Sequence, residues 1–408
     1  MQRLLHRRVP DRTPRRRTHR QAPPRTASTP NGRLSEHISA GRDHSVSRGT
    51  TTHRTISYAS SGVDIDAGDR AVEALKPSIR KTARPEVVGG IGGFAGLFAL
   101  DVEKYRRPLL ASSTDGVGTK LVIAQKLDIH DTVGIDLVAM VVDDLVVCGA
   151  EPLFLLDYIA TGQVVPERIA DIGAGIADGC RYAGCSLIGG EIAEHPGVMK
   201  ADDYDISATG VGVVEADELL GPDRVKPGDV AIAMRASGLH SNGFSLVREA
   251  LFGVGKMDLG TVVPEFATAE HSQRTLGEEL LTPTHIYAKD CLELAKECDV
   301  HAFAHITGGG IAGNLVRSIP DGLSVAVDRS TWTPNPVFDV VQHTGGIGDE
   351  EMERTFNMGV GMVAVVAPDQ VDRSLAVLTA RHVEAWTIGE VAEGEDGVKL
   401  TGSYRKAD

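Results

Sequence analysis

The sequence has few aromatic residues, few cysteines and no long hydrophobic run. Aromatic residues make up 4% of the 408 residues, which disfavours a β-sandwich and favours an α/β enzyme with tight turns. No run approaches 18 consecutive apolar residues, so no membrane span is predicted. The five cysteines are odd in number and lack zinc-ligand spacing, which indicates reduced core residues of a cytoplasmic protein.

Positive charge is scarce outside the first 50 residues. Those residues carry twelve arginines, no lysine and three acids, a net charge of +9, so that the remainder carries a net charge of −23. An acidic body argues against nucleic acid as the main ligand. An anionic substrate would therefore need local basic groups or a metal ion.

The chain divides into three predicted segments. Residues 1–55 are rich in Arg, Thr, Ser and Pro and have almost no apolar periodicity, which predicts a disordered N-terminal extension. Two other interpretations of it stay open, a translated leader upstream of the true start and an organelle-targeting segment. The turn-rich stretch at 221–229 predicts a boundary between an N-terminal domain, residues 56–223, and a C-terminal domain, residues 224–408.

The stretch Ser113–Leu121 reads STDGVGTKL and joins an apolar strand to the start of a helix. A strand, a tight glycine turn and a helix start in that order present backbone N–H groups to an anion. Asp115 adds the carboxylate that a phosphate-bridging Mg²⁺ needs, and Lys120 adds a cation. The alternative is a plain strand-to-helix turn capped by Asp115. The spacing of a P-loop is missing.

A second glycine-rich stretch, GGIGGFAG at 89–96, contains five glycines in eight residues. It is weak as a dinucleotide fingerprint, because no strand clearly precedes it. We predict a flap whose amide groups close over phosphates. A mobile glycine loop without a ligand is the alternative.

A long apolar helix predicted at 131–147 carries Asp136, Asp143 and Asp144 within its apolar run. Asp136 and Asp143 are seven residues apart and share a helix face, whereas Asp144 is displaced by about 100°. Carboxylates in an apolar helix are costly unless they are paired or bound to a metal ion. The pattern predicts a divalent-cation site shared with Asp115. Simple exposure of the Asp143 and Asp144 edge is the alternative.

Other polar or glycine-rich turns follow predicted strands, where ligands bind in α/β folds. They contain Asp157, Glu191, the turn at 240–243 and the turn at 307–310. His240 lies in such a turn, whereas His305 lies mid-strand and is predicted to be a satisfied core histidine.

Two further local predictions concern helices. The stretch at 284–298 is predicted to be an amphipathic helix, and Pro77 is predicted to kink or end the helix that starts after Asp64. No Gly-x-Ser-x-Gly elbow or His-Glu-x-x-His helix appears, which argues against acyl hydrolases and zinc proteases. The residues alone thus predict a two-domain α/β enzyme that uses phosphate and Mg²⁺.

Seven motifs follow one another between residues 62 and 362. They are GVDIDAGD at 62–69, RPEVVGGIGGF at 84–94, TDGVGTKL at 114–121, DLVVCGAEPLF at 144–154, LHSNG at 239–243, HITGGG at 305–310 and NMGVGM at 357–362. In this order they resemble the phosphoribosylformylglycinamidine cyclo-ligase family, also called AIR synthetases. The resemblance extends over about residues 56–392 and leaves out the N-terminal extension.

The resemblance implies a fold and an activity. The implied fold is α/β (α+β) with two domains, in which the N-terminal domains of a homodimer form a shared β-barrel and bind ATP near the interface. The implied activity belongs to de novo purine biosynthesis: ATP and Mg²⁺ convert formylglycinamidine ribonucleotide to aminoimidazole ribonucleotide, ADP and phosphate. ATP phosphorylates the formyl amide oxygen, and an amidine nitrogen then attacks the same carbon. K⁺ is implied as an activator, and no nucleic-acid or membrane partner is implied.

The resemblance also assigns roles to matching residues. The catalytic residues would be Asp115, Lys120, Glu191 and His240, and the Mg²⁺ ligands Asp115 and Asp144. ATP would contact Gly89, Gly90, Gly92, Gly93, Gly116 and Thr119 together with Asp115, Lys120 and Asp144. The substrate would contact Ser241, Asn242, Thr307, Gly308, Gly309 and Gly310.

Three positions depart from the pattern of the family. Asp143 stands where many relatives have Asn, Ile192 where Thr is usual, and His285 where Lys or Arg is usual. Two alternative functions stay open at this point. One is an ATP-dependent small-molecule kinase of the same superfamily, and the other is a catalytically silent nucleotide-binding protein.

Overall fold

Two β-sheets flanked by helices form the part of the chain that is described in the computed structural model, residues 56–90, 92–269, 271–394 and 397–406. The predictions for residues 1–55 and for Ile91 lie outside the described residues. The N-terminal half contains helices α1 Ile65–Arg80, α2 Leu121–Leu127, α3 Val133–Val146 and α4 Pro166–Ala183, and strands β1 Val87–Val88, β2 Leu97–Phe98, β3 Pro108–Gly116, β4 Glu151–Thr161, β5 Ser186–Glu194 and β6 Tyr204–Glu215.

The C-terminal half repeats the mixture of helices and strands. Its helices are α5 Phe244–Arg248, α6 Leu276–Leu280, α7 Ala288–Glu297, α8 Gly310–Leu315, α9 Pro336–Gly345, α10 Asp349–Thr355 and α11 Val371–Ala380. Its strands are β7 Val230–Arg235, β8 Val300–His305, β9 Leu323–Asp328, β10 Val360–Val366, β11 Ala385–Glu393 and β12 Gly397–Thr401. The two sheets therefore lie on either side of the boundary predicted near residue 224.

The N-terminal sheet has the strand order β3-β6-β4-β5, and only β4 and β5 run parallel. Helix α3 packs on one face of it, since a side chain at Gly210 of β6 would collide with Val141 and Leu145 of α3. Positions of β6 facing α3 are buried, and the alternate positions are more exposed, as the two-residue period of a strand requires. The opposite face is open.

The C-terminal sheet has the order β12-β9-β11-β7-β10-β8, and its strands β7, β8 and β10 are buried on both faces. Met362 and Ala364 of β10 belong to one apolar cluster, whereas Val363 and Val365 belong to another on the opposite face. A strand with both faces buried reads as a continuous apolar run, which explains the sequence of β10.

The elements predicted from the sequence correspond to observed ones, with two corrections. Helix α7 begins at Ala288 rather than at residue 284; in the segment before it, Thr284 and Tyr287 donate their backbone N–H groups to carboxylates of α3. An end of α1 at Pro77 is wrong, since the helix continues to Arg80. In the described residues no helix is long and apolar enough to span a membrane.

Candidate functional site

Asp115 is the second-last residue of β3 and lies at the edge of a cleft between the two halves. Asp115 Oδ1 accepts the backbone N–H of the adjacent Gly116 at 2.7 Å, and the first helical turn that follows has no side-chain cap. The interpretation of Asp115 as a helix cap is therefore wrong. Burial raises the pKa of Asp115; the Gly116 hydrogen bond opposes this, and the charge of Asp144 adds to it.

Asp115 and Asp144 approach a common neighbour, His305. His305 Nδ1 lies 2.9 Å from Asp144 Oδ1. Burial lowers the pKa of His305, but the hydrogen bond to Asp144 and the charges of Asp143, Asp144 and Asp115 outweigh burial and raise it. Strand β3, helix α3 and strand β8 thus bring these acids together, as the sequence predicted for Asp115 and Asp144.

A Mg²⁺ ion fits this pair as part of a nucleotide complex. No group of three or more His, Cys, Asp or Glu side chains among the described residues could hold a metal ion alone. Mg²⁺ is, however, usually held by one or two carboxylates together with phosphate oxygens. The mutual repulsion of Asp115 and Asp144, which contributes to the raised pKa of Asp115, would be relieved by a cation.

Lys120 lies in a buried ion pair with an acid of α3. Its side chain is fully buried, and its Nζ lies 2.8 Å from Asp136 Oδ2 and 2.7 Å from the carbonyl oxygen of Thr282. Burial lowers the pKa of Lys120, and the Asp136 carboxylate opposes that effect. Contact between Lys120 and ATP phosphates stays a prediction, but the observed contacts are those of a structural ion pair.

The two acids that share a face of α3 hold one segment of the C-terminal half. Asp136 Oδ1 accepts the N–H and the hydroxyl of Thr284 at 2.8 and 2.6 Å. Asp143 Oδ1 accepts the N–H of Tyr287 at 2.9 Å, and burial raises the pKa of Asp143 to about 7. Both acids are buried, so the predicted exposure of an Asp143 and Asp144 edge applies to Asp144 alone.

His240 is buried in the turn between β7 and α5. Its backbone is left-handed with φ +62°, and its Nε2 accepts the N–H of Ser237 at 3.2 Å. Burial lowers the pKa of His240 well below its usual value, so the ring is neutral. The hydrogen bond from Ser237 occupies the lone pair of Nε2. A catalytic role for His240 stays a prediction. Lys120 Nζ also donates to the His240 carbonyl at 3.2 Å.

The turn from Thr307 to Gly310 is held by one side chain that the sequence did not single out. Asn314 Nδ2 donates to the carbonyl oxygens of Thr307, Gly308 and Gly310 at 3.3, 3.2 and 2.9 Å. A side chain at Gly308 would come within 3.8 Å of Asn242 Nδ2, so the two predicted substrate turns are neighbours.

A cavity of about 590 Å³, which we call the Asp115 cavity, lies between residues 115–119 of the N-terminal half and the turn at 241–243 of the C-terminal half. Five of the predicted site residues line it. Asp205 and Ser207 of β6 and Ser245 of α5 are polar residues that also line it. Thr119 Oγ1 and Ser245 Oγ lie 3.1 Å apart across the cleft. The predicted site residues that line it are Asp115, Gly116, Thr119, Ser241 and Asn242.

The glycine-rich stretch borders a separate cavity of about 370 Å³, the Gly89 cavity. Gly89 and Gly90 line it together with the cationic residues Lys76 and Arg80 of α1 and several aliphatic side chains. Gly92, with φ +103°, and Gly93 complete the described part of the loop. Apolar walls with two cations at a glycine turn suit a nucleotide.

Glu191 borders a third cavity, of about 360 Å³, which also contains Asp157. Burial raises the pKa of Asp157 to about 7. Close packing explains the adjacent glycine, since a side chain at Gly190 would lie 2.0 Å from Asp157 Oδ1. The strand pairing of β4 and β5 places Asp157 beside Gly190 and brings Glu191 to the same end of the sheet.

This fold and cleft define an α/β protein with a two-module architecture, and family models match both modules. The description "AIR synthase related protein, N-terminal domain" matches residues 100–214, and "AIR synthase related protein, C-terminal domain" matches residues 226–400. A phosphoribosylformylglycinamidine cyclo-ligase of Anaeromyxobacter dehalogenans is 52% identical over 343 residues, which cover 84% of this chain and 97% of the relative. The chain therefore belongs to the phosphoribosylformylglycinamidine cyclo-ligase family.

Solved structures share the fold at low sequence identity. A thiamine-monophosphate kinase from Stenotrophomonas maltophilia is 20% identical with a TM-score of 0.59, covering 81% of this chain and 97% of the kinase. The hydrogenase maturation protein HypE in complex with ATP is 20% identical with a TM-score of 0.53, covering 82% of this chain and 90% of HypE. At this identity the likeness concerns the fold alone.

Proposed function

We propose that the protein catalyses the ATP-dependent closure of formylglycinamidine ribonucleotide to aminoimidazole ribonucleotide in purine biosynthesis. The observation that carries the proposal is the match to cyclo-ligases at 52% identity over 97% of the relative's length. The Asp115 cavity, which residues of both halves line, supports it, because such a cleft can hold two reacting groups together, and the charge of Asp144 acts on Asp115 at its edge.

The reaction needs one leaving group and one nucleophile within the same substrate molecule. ATP phosphorylates the formyl amide oxygen, the amidine nitrogen forms a bond to the same carbon, and the C–O bond breaks as phosphate departs. Because both reactants belong to one molecule, the protein has mainly to orient them and to neutralise charge.

ATP use is supported by the Gly89 cavity, in which Lys76 and Arg80 lie beside glycine backbone. The HypE structure with the same fold is a complex with ATP. Asp115 and Asp144 would hold Mg²⁺, which would neutralise phosphate charge. The remaining work belongs to the chain's own groups: Ser241, Asn242 and the 307–310 turn would orient the substrate at the cleft.

The protein would act as a homodimer that covers the open face of the N-terminal sheet. Leu110 on the edge strand β3 is 67% exposed, and Leu156 and Tyr158 are exposed on the same face. An unpaired edge with exposed apolar side chains favours association with a second copy, whose sheet could close a barrel. Analytical ultracentrifugation of the wild type and of Leu110→Asp tests this: we expect a dimer and a monomer, respectively, and a monomeric wild type would contradict it.

The activity is tested by following three products in one assay. With formylglycinamidine ribonucleotide and ATP, we expect one ADP, one phosphate and one aminoimidazole per turnover. A stable phosphorylated product without aminoimidazole would instead indicate a small-molecule kinase. Absence of turnover from folded protein that binds ATP would indicate a silent nucleotide-binding protein.

A further inference from the structure

A fourth cavity, of about 350 Å³, lies between the two halves at the side of the cleft where α8 ends. We call it the Arg317 cavity. Ser112 and Ser113 of β3 and Asp144 of α3 line it from the N-terminal half, and His305 and Arg317 line it from the C-terminal half. Its walls thus belong to the elements that carry the candidate site, but nothing predicted from the sequence falls on Arg317.

Arg317 is the one Lys or Arg side chain among the described residues that line this cavity. It is exposed, and it forms no hydrogen bond or salt bridge with any described residue. The acid in the same cavity, Asp144, is already bonded to His305 at 2.9 Å. The guanidinium therefore has its donors free, and a planar fork of donors matches the oxygens of a phosphate group.

Hydroxyl groups add to the polar lining. The Ser113 hydroxyl has no hydrogen-bond partner among the described residues, whereas Ser112 donates to the carbonyl of Gly210 at 3.1 Å. The Nε2 atom of His305 is buried and has no hydrogen-bond partner in the described part of the chain, although His305 is only 5% exposed. A buried polar atom without a partner at a cavity wall indicates that a ligand group or water completes its hydrogen bonding.

The cleft is polarised along its length. The Asp115 cavity has two carboxylates, Asp115 and Asp205, and no Lys, Arg or His among its described lining residues. Among its described lining residues, the Arg317 cavity has one cation, Arg317, whose donors are free, and one carboxylate, Asp144, which is already bonded to His305. Formylglycinamidine ribonucleotide has the same polarity, since its amidine is basic and its ribose carries a 5′-phosphate.

We propose that Arg317 binds the 5′-phosphate of the substrate and so fixes the direction in which the substrate lies in the cleft. This rests on the proposed function and deepens it. The nucleotide has cations of its own at the Gly89 cavity, Lys76 and Arg80, which is why we assign Arg317 to the substrate rather than to ATP. Asn314, one turn before Arg317, holds the 307–310 turn, so phosphate binding at Arg317 and the position of that turn share one short helix.

The proposal is tested by kinetics of Arg317→Gln beside Arg373→Gln. Arg373 is a matched control, because it is an exposed arginine of α11 that pairs with Glu297 at the surface and lines none of the four cavities. We expect Arg317→Gln to raise KM for formylglycinamidine ribonucleotide on the order of ten- to one-hundred-fold, as for the loss of a charge-assisted hydrogen bond. KM for ATP should stay within about twofold, and the control should match the wild type.

The substrate without its 5′-phosphate separates binding from folding. On this nucleoside the wild type and Arg317→Gln should have the same low kcat/KM, since the group that Arg317 binds is absent. If Arg317→Gln lowers kcat/KM on the nucleoside as much as on the 5′-phosphorylated substrate, Arg317 has a structural role and the proposal is overturned. An unchanged KM for formylglycinamidine ribonucleotide would overturn it as well. A rise in KM for ATP alone would also overturn it, because Arg317 would then bind a phosphate of ATP.

Calorimetric titration with ribose 5-phosphate separates this proposal from the proposed function. Binding by the wild type and its loss in Arg317→Gln, with partial recovery in Arg317→Lys, would support the phosphate site even if no aminoimidazole were formed. Formation of aminoimidazole by the wild type, together with equal binding by Arg317→Gln, would overturn the phosphate site and leave the proposed function standing.

Discussion

Lys120 Nζ lies 2.8 Å from Asp136 Oδ2, and neither side chain is exposed to solvent. The pair connects the turn after β3 to helix α3, and through Thr282 and His240 it reaches the C-terminal half. A buried ion pair is expensive to break, because the remaining charge stays buried without a partner. Lys120 therefore stabilises the fold, and its contribution to the free energy of unfolding can be measured.

We expect Lys120→Met to lower the free energy of unfolding by about 3–5 kcal/mol, since it leaves the Asp136 carboxylate uncompensated. Urea unfolding measures this. Lys126→Met on the exposed side of α2 is the control and should change stability by less than about 1 kcal/mol, because that lysine lies over the ring of Phe252 and forms no salt bridge with a described residue. A stable Lys120→Met protein with a raised KM for ATP would contradict the structural role and support phosphate binding.

We expect Asp115→Asn to lower kcat on the order of 10²-fold or more while the protein stays folded. The reason is that Asp115 accepts a single hydrogen bond, from the adjacent Gly116, which an asparagine oxygen can also accept. Turnover and the thermal midpoint are measured on the same preparation. If Asp115→Asn lowers the thermal midpoint along with turnover, Asp115 stabilises the fold rather than taking part in catalysis.

Asp157 makes stability depend on pH. Burial raises its pKa to about 7 in the folded protein from the ordinary value of 3.8. Between about pH 4 and pH 7 the unfolded chain therefore releases a proton that the folded protein retains, and stability falls as pH rises.

Replacement of Asp157 by Asn removes this ionisation. As pH rises from 4 to 8, we expect the free energy of unfolding of Asp157→Asn to increase relative to that of the wild type by about 1 kcal/mol or more. Urea unfolding across this pH range measures it. Asp321→Asn, at an exposed aspartate, is the control and should show no such trend. A difference between Asp157→Asn and the wild type that does not change with pH would show that Asp157 is not protonated in the folded protein.

Gly310 and Gly313 differ sharply although they are three residues apart. Gly310 has φ +66°, and a Cβ there would lie 1.7 Å from the carbonyl oxygen of Glu353, whereas a Cβ at Gly313 would meet no atom within 4 Å. We expect Gly310→Ala to lower the free energy of unfolding by more than about 2 kcal/mol. Gly313→Ala should leave it unchanged or raise it by about 0.4–1 kcal/mol. Similar effects at both positions would contradict the observed turn.

The local elements could be predicted because their signals are local. Helix α4 begins at Pro166 and ends before Gly184, and both residues are visible as helix boundary signals in the sequence. The buried strand β10 is an apolar run of strand length. The acids of the apolar helix also predicted a cation site that Asp144 shares with Asp115, and the charge of Asp144 acts on Asp115.

Other features depend on partners distant in the sequence and could not be predicted. Lys120 could be identified as a cation, but its burial depends on Asp136 and on a carbonyl 162 positions away at Thr282. Thr284 and Tyr287, predicted to lie in α7, instead precede it and donate their N–H groups to acids of α3 that are 148 and 144 positions away. Arg317 carried no signal, because an exposed arginine in a helix is ordinary until the cavity beside it is known.

The transfer of the formyl oxygen to phosphate is the most direct test of the proposed ring closure. Formylglycinamidine ribonucleotide labelled with ¹⁸O at the formyl group is converted with unlabelled ATP, and the released phosphate is analysed by mass spectrometry. Phosphorylation of the amide oxygen predicts one ¹⁸O atom in each phosphate formed. Unlabelled phosphate together with aminoimidazole would contradict it, because the oxygen would then have left by another route.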